Sequence, residues 1–176
     1  MPQQQTFRLH ARSSINDLVV ETEPVPTPGP REVLVKVRSV ALNYRDYAVA
    51  TGKYPFSVKD SVVPCSDIAG DVVEVGHGVE DVAAGDQVIC SFDLKTLYGP
   101  IQGWEHGLGG NVDGGLREYI VLPAEAVVKI PAGSGYSYAQ LAALVCTGTT
   151  AWNSLYGNVP LKPGQTVLFL GTQATG

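Results

Sequence analysis

Asn43, Tyr44, Arg45 and Asp46 set an amide, a phenol, a guanidinium and a carboxylate side by side. The first three can donate hydrogen bonds, and such donors hold negative charge as it develops on a substrate oxygen. Asn43 can donate to a carbonyl, and Tyr44 can give a proton or stack. Arg45 is a permanent cation suited to an oxyanion, a cofactor phosphate or a ribose. A structural role competes at each position: Asn43 as the cap of a following helix, Tyr44 in packing, and Arg45 paired with Asp46 or Asp67. Near the C-terminal end, an apolar stretch over residues 166–170 runs into the turn "GTQATG", with Gly171 and Gly176 as candidate cofactor-binding residues. A strand followed by such a turn opens a dinucleotide-binding unit, because glycine lets backbone approach a pyrophosphate. Gln173 stands at the middle glycine position and weakens that pattern.

The bulk properties narrow the field. The chain has 176 residues, 44% hydrophobic and 16% charged, with a net charge of −5 and no basic cluster. Nucleic acid and membrane surfaces are therefore not expected partners. No run approaches the ~20 apolar residues of a membrane span. Three cysteines, Cys65, Cys90 and Cys146, are widely spaced and odd in number, which predicts free thiols and a cytoplasmic, reducing location. Arg8 and Arg12, with no acid before Asp17, are compatible with a transit peptide, but a first strand over about residues 6–12 is the reading adopted.

The elements that must position these groups are mostly strands. "DLVVETEPVP" and "REVLVKVRSVAL" are β-branched and flank the rigid turn "PTPGP". "NYRDYAVATG" predicts a short helix closed by Gly52. "DIAGDVVEVG", "DQVICSF" and "LREYIVLPAEAVVKIP" continue the β pattern. Between the last two, residues 93–115 form a long glycine-rich loop of the kind that serves function. After Pro131 the character changes: Ser137 is a candidate N-cap for a helix over "YAQLAALVCTGTTAWNSLYG", followed by the turn "LKPGQ" and the apolar run. The predicted architecture is mainly β over residues 1–131, passing into a short α/β segment over 132–176.

Five segments in this order, "ALNYRDYAVATGKYP", "VVPCSDIAGDVVEVGHGVEDVAAGDQVI", "GGLREYIVLP", "LVCTGTTAWNSLY" and "LKPGQTVLFLG", resemble blocks of the medium-chain dehydrogenase/reductase superfamily. The resemblance is greatest to its zinc-free, quinone-oxidoreductase-like branch and to fungal zinc-type alcohol dehydrogenase-like proteins. It implies a GroES-like β-barrel domain, the start of a Rossmann domain, and an active site in the cleft between the two. It also implies hydride transfer between NADPH or NADH and a small apolar carbonyl, quinone or enone. Most of the cofactor domain lies outside these residues, so the chain reads as the N-terminal part of a longer oxidoreductase, inactive and without bound cofactor on its own. The surface that a Rossmann domain would cover could instead associate as a homodimer. A non-enzymatic GroES-like binding module and a zinc alcohol dehydrogenase are the alternative functions.

The same resemblance distributes roles. Zinc members place ligands where this chain has Asn43, Ser66 and Cys146; with two of those three poor zinc ligands, no metal is expected, although Cys65, Asp67 and Cys146 form an improvised alternative. Without zinc, Asn43, Tyr44 and Arg45 carry the oxyanion chemistry. Tyr54 is similar in position to a tyrosine that donates a proton in enoyl-thioester reductases, and its phenol suits that task. Thr147 and Thr150, in "CTGTTAW", are the residues expected against the nicotinamide. In the loop, Tyr98 and Trp104, with Leu97, Ile101 and Leu108, are expected to line the substrate cleft.

Overall fold

The computed structural model describes residues 1–169 apart from Leu97 and Gln102. Strands dominate it. β1 (Gln3–Leu9) and β2 (Leu18–Pro24) form an antiparallel hairpin. Five further strands, β3 (Glu32–Ala41), β4 (Asp67–Val75), β5 (Gln87–Cys90), β6 (Tyr119–Pro123) and β7 (Val127–Lys129), make one antiparallel sheet in the order β6-β3-β4-β5-β7. The β3–β4 ladder shifts register twice, between Leu34 and Val35 and between Val37 and Ser39. Such bulges bend a strand and let a sheet curl around its own core. That core holds Val33, Val35, Ile68, Val72, Val88, Leu108, Ile120 and Leu122. The hairpin docks through bridges from Thr6 to Arg117 and from Leu9 to Val62.

The first strand begins three residues earlier than the sequence predicts, and in it Gln4 is buried. Its amide is satisfied from both ends: Nε2 donates to the Pro24 carbonyl, and Oε1 accepts from Tyr119 N–H. A buried polar group is tolerated on that condition.

Helix α1 (Tyr44–Ala50) buries Ala48, Val49 and Ala50 and gives way at Thr51, with Gly52 in the left-handed region at φ 66°. Ser137 caps α2 (Tyr138–Ala143) in a reciprocal capping box with Gln140. α2 lies on the sheet, where Leu141 and Ala142 pack on Ala69 with Ile89 and Ile130 around them. The Tyr138 hydroxyl donates to Asp71 on β4. A π-helical stretch, Leu144–Gly148, then leads directly into α3 (Thr149–Tyr156).

The loop over residues 93–115 divides in two. Its second part is core: Leu108 is fully buried and Gly114 crosses so close to Pro64 and Cys65 that a Cβ would meet their carbonyl groups. In the first part Asp93 is buried and Leu94 packs on the core, whereas Tyr98 is 91% exposed. One predicted element differs. Residues 165–169 pair with no strand among the described residues, and Leu168 and Phe169 are exposed. A run this apolar becomes a strand when neighbours cover both faces, and none does so here.

Candidate functional site

Arg45 stands at the centre of an aromatic cage. Its guanidinium lies 4.8 Å from the Tyr54 ring centre and 4.9 Å from that of Phe92. Tyr54 meets Phe56 edge-on at 5.4 Å, Phe56 stacks on Trp104 at 5.0 Å, and Trp104 meets Phe92 edge-on at 6.1 Å. The chain of rings thus returns to the cation it started from. Nη1 of Arg45 donates to the Leu108 carbonyl at 2.8 Å. No carboxylate of the described residues lies within 4.0 Å of this guanidinium, so the predicted pairing with Asp46 or Asp67 is not formed. Cation–π attraction takes part of the place of a counter-ion.

The cage forms one wall of a cleft of about 660 Å³. The facing wall comes from the π-helical stretch and α3: Val145, Cys146, Thr149, Thr150, Trp152 and Asn153. Asp67 holds that wall to the sheet. It is fully buried, and its two oxygens accept from Ser66 Oγ at 2.6 Å and from Cys146 N–H at 3.0 Å.

Of the residues singled out in the sequence, the cleft brings together Arg45, Tyr54, Trp104 and Thr150. Tyr44 is 77% exposed and leans on Tyr47, and Tyr98 is also outside the cleft lining. Asn43 occupies the N-cap position of α1, where Asp46 accepts its backbone N–H at 2.8 Å. Its side chain lines a separate, smaller apolar cavity of about 240 Å³ beside Asp46, Leu9 and Leu18. Asn43 Nδ2 and Asp46 Oδ1 are buried there without hydrogen-bond partners among the described residues. Burial pushes the Asp46 carboxyl up, against the pull of the Asn43 N–H and the charge of Arg45. The Thr147 hydroxyl is turned back onto the Ala143 carbonyl, within its own helix. Gly171 and Gly176 lie outside the described residues. Sequence reasoning missed Phe56 and Phe92 as site residues; Phe56 directly follows "GKYP" and Phe92 closes the segment "DQVICSF", and an aromatic at such a position is the signal that could have found it.

The donor set suits zinc poorly. Asn43 offers an amide, Ser66 has its hydroxyl proton committed to Asp67, and Asp67 has both oxygens engaged. Among the described residues no three His, Cys, Asp or Glu side chains converge on a point that could hold a metal. Burial raises the thiols of Cys65 and Cys146, and that of Cys90 to about 12, whereas a metal is bound by the thiolate. No helix among the described residues is long and apolar enough to cross a membrane.

A curled antiparallel sheet with a bulged central strand, capped at one end by a helix and a cleft, is the architecture of a GroES-like domain. Residues 29–132 match the model of the alcohol dehydrogenase GroES-like domain. The chain belongs to that family, and with it to the medium-chain dehydrogenase/reductase superfamily. It is 42% identical over 165 residues to a zinc-type alcohol dehydrogenase-like protein of Schizosaccharomyces pombe, covering 91% of this chain and 47% of the relative. A chloroplast envelope quinone oxidoreductase homolog of Arabidopsis thaliana is 36% identical over 158 residues, covering 87% and 43%. Among solved structures, a thermostable alcohol dehydrogenase of Pyrobaculum aerophilum, described with bound cobalt and zinc, superposes with a TM-score of 0.74 at 28% identity, covering 88% and 48%. The chain spans about half the length of the relatives it matches.

Proposed function

We propose that this chain is the substrate-binding part of an oxidoreductase that reduces an apolar carbonyl, enone or quinone with NADPH or NADH and without zinc. The observation that carries the reading is the unpaired Arg45 cation, clamped by aromatic rings in the wall of an apolar cleft. The quinone oxidoreductase-like and alcohol dehydrogenase-like relatives support the oxidoreductase part of this reading.

A nicotinamide cofactor would supply the hydride, with its ring against Thr150 on the α3 wall. Everything else falls to residues of this chain. The guanidinium of Arg45 holds the substrate oxygen and stabilises the electron pair that moves onto it. The Tyr54 hydroxyl makes no hydrogen bond to a described residue, and its ring already rests on that guanidinium. In this reading it returns a proton to the oxygen or to the adjacent carbon. The Trp104 and Phe56 rings give a flat substrate faces to stack on.

The test is cofactor oxidation by the full gene product against quinones, enones, aldehydes, and 2-oxo and 2-enoic acids, with zinc measured by elemental analysis. Turnover with well under one equivalent of zinc is expected. Tyr54→Phe should lower kcat by about 100-fold or more while KM moves little. Absence of turnover across the panel, or one tightly held zinc required for it, refutes the proposal.

A further inference from the structure

Arg45 has donors to spare. Its Nη1 serves the Leu108 carbonyl, and Nη2 makes no hydrogen bond to any described residue. Nη2 lies against the Gly110 backbone, so closely that a Cβ there would come within 2.6 Å of it. Elsewhere Arg8, Arg31 and Arg38 each meet a carboxylate. Among the described residues Arg45, half-buried in the cleft wall, meets only rings and one carbonyl. A cation partly removed from water is costly without a counter-charge, and two aromatic faces replace only part of it. Guanidinium edges match carboxylates in shape, pairing N–H donors with both oxygens. The cleft is otherwise lined mostly by apolar side chains, Ile101, Val145, Trp152, Phe56 and Trp104 among them, with Thr149, Thr150 and Asn153 beside them.

We propose that the cleft selects an anionic substrate: a planar, apolar carboxylic acid whose carboxylate docks on Arg45 and whose reducible carbonyl or alkene lies next to that carboxylate. This rests on the reading of the cleft as a substrate site and names the class it takes. In the reduction, hydride from the nicotinamide adds to the carbonyl carbon or to the far alkene carbon. The displaced electron pair moves to the oxygen beside Arg45, and the Tyr54 phenol supplies the proton, later replaced from water. The product is the hydroxy acid or the saturated acid, with the oxidised nicotinamide.

Binding can be read without turnover. The two tryptophans of the chain, Trp104 and Trp152, both line this cleft, so intrinsic fluorescence reports on it alone. Titration of the 176-residue chain with 3-phenylpropanoate and with 3-phenylpropanamide compares a charged head with a neutral one of the same shape. The acid should bind at least about tenfold tighter, as for one hydrogen bond to a charged group. The preference should shrink in high salt, disappear in Arg45→Gln and persist in part in Arg45→Lys. Equal affinity for acid and amide, no binding of either, or a preference that survives Arg45→Gln would each overturn the proposal. The comparison on the unsubstituted chain decides even where Arg45→Gln does not fold. An acid preference with no cofactor oxidation by the full gene product would refute the oxidoreductase reading and leave carboxylate recognition standing.

Discussion

Replacing Asp67 by alanine should release one wall of the cleft from the sheet. Asp67 is fully buried and accepts two hydrogen bonds, from Ser66 Oγ and from Cys146 N–H. Hydrogen bonds to a charged group contribute about 1.5–3 kcal/mol each, so the gross loss is on the order of 3–6 kcal/mol. Part is recovered because the carboxylate no longer has to be kept out of water, which leaves a net cost of roughly 2–4 kcal/mol. In a chain of this size each kcal/mol moves the midpoint by about 2–4 °C, so Tm should fall by about 5–15 °C. Thermal unfolding followed by circular dichroism measures that shift. Ser66→Ala removes one of the two bonds and should cost less than half as much. A local effect should accompany the global one: in a Trp104→Phe background, Trp152 emission in Asp67→Ala should shift before the main transition as the π-helical stretch loosens. A variant that melts within about 1 °C of the parent, with unchanged Trp152 emission, would show that this carboxylate does not hold the wall.

Two other perturbations probe the scaffold. Leu108→Ala empties a fully buried core position on the inner part of the 93–115 loop and should cost about 2–5 kcal/mol in urea unfolding; a loss under 1 kcal/mol would mean that the loop does not belong to the core. Asp113 accepts from Arg8, Lys59 and the Val63 N–H; burial works to raise its carboxyl, and those three partners outweigh it and hold it below the ordinary range. Its contribution is therefore complete above the unfolded carboxyl value of about 3.8 and is lost as pH falls through the lower folded value. Asp113→Asn should be less stable than the parent by about 1–2 kcal/mol at pH 7, and the gap should narrow as pH falls through the folded carboxyl's range; a gap independent of pH would contradict this.

Much of the scaffold is legible in the residues because its physics is local. Alternation in "VLVKVRSV" sets β3, Ser137 and Gln140 mark the start of α2, and Gly52 marks the end of α1. What escapes is whatever depends on distant partners. Gln4 reads as a surface residue and is buried because Pro24 and Tyr119, far along the chain, satisfy its amide. Leu108 looks like one more residue of a glycine-rich loop, since no periodicity marks a loop that folds into the core. The site divides in the same way. Arg45, Tyr54, Trp104 and Thr150 follow from residue type and family resemblance, and the structure places them around one cleft. Tyr44 shares a tetrapeptide with Arg45, yet successive residues on a helix point about 100° apart, and only one of the two lines the cleft.

The π-helical stretch at Leu144–Gly148 sets the angular phase of everything after it. A widened turn of this kind amounts to one extra residue in an otherwise regular helix. Were the same residues wound as regular α-helix throughout, that extra residue would carry α3 about 100° further around its axis. Thr150 and Trp152 would then turn away from Arg45, although no residue that touches a substrate had been altered.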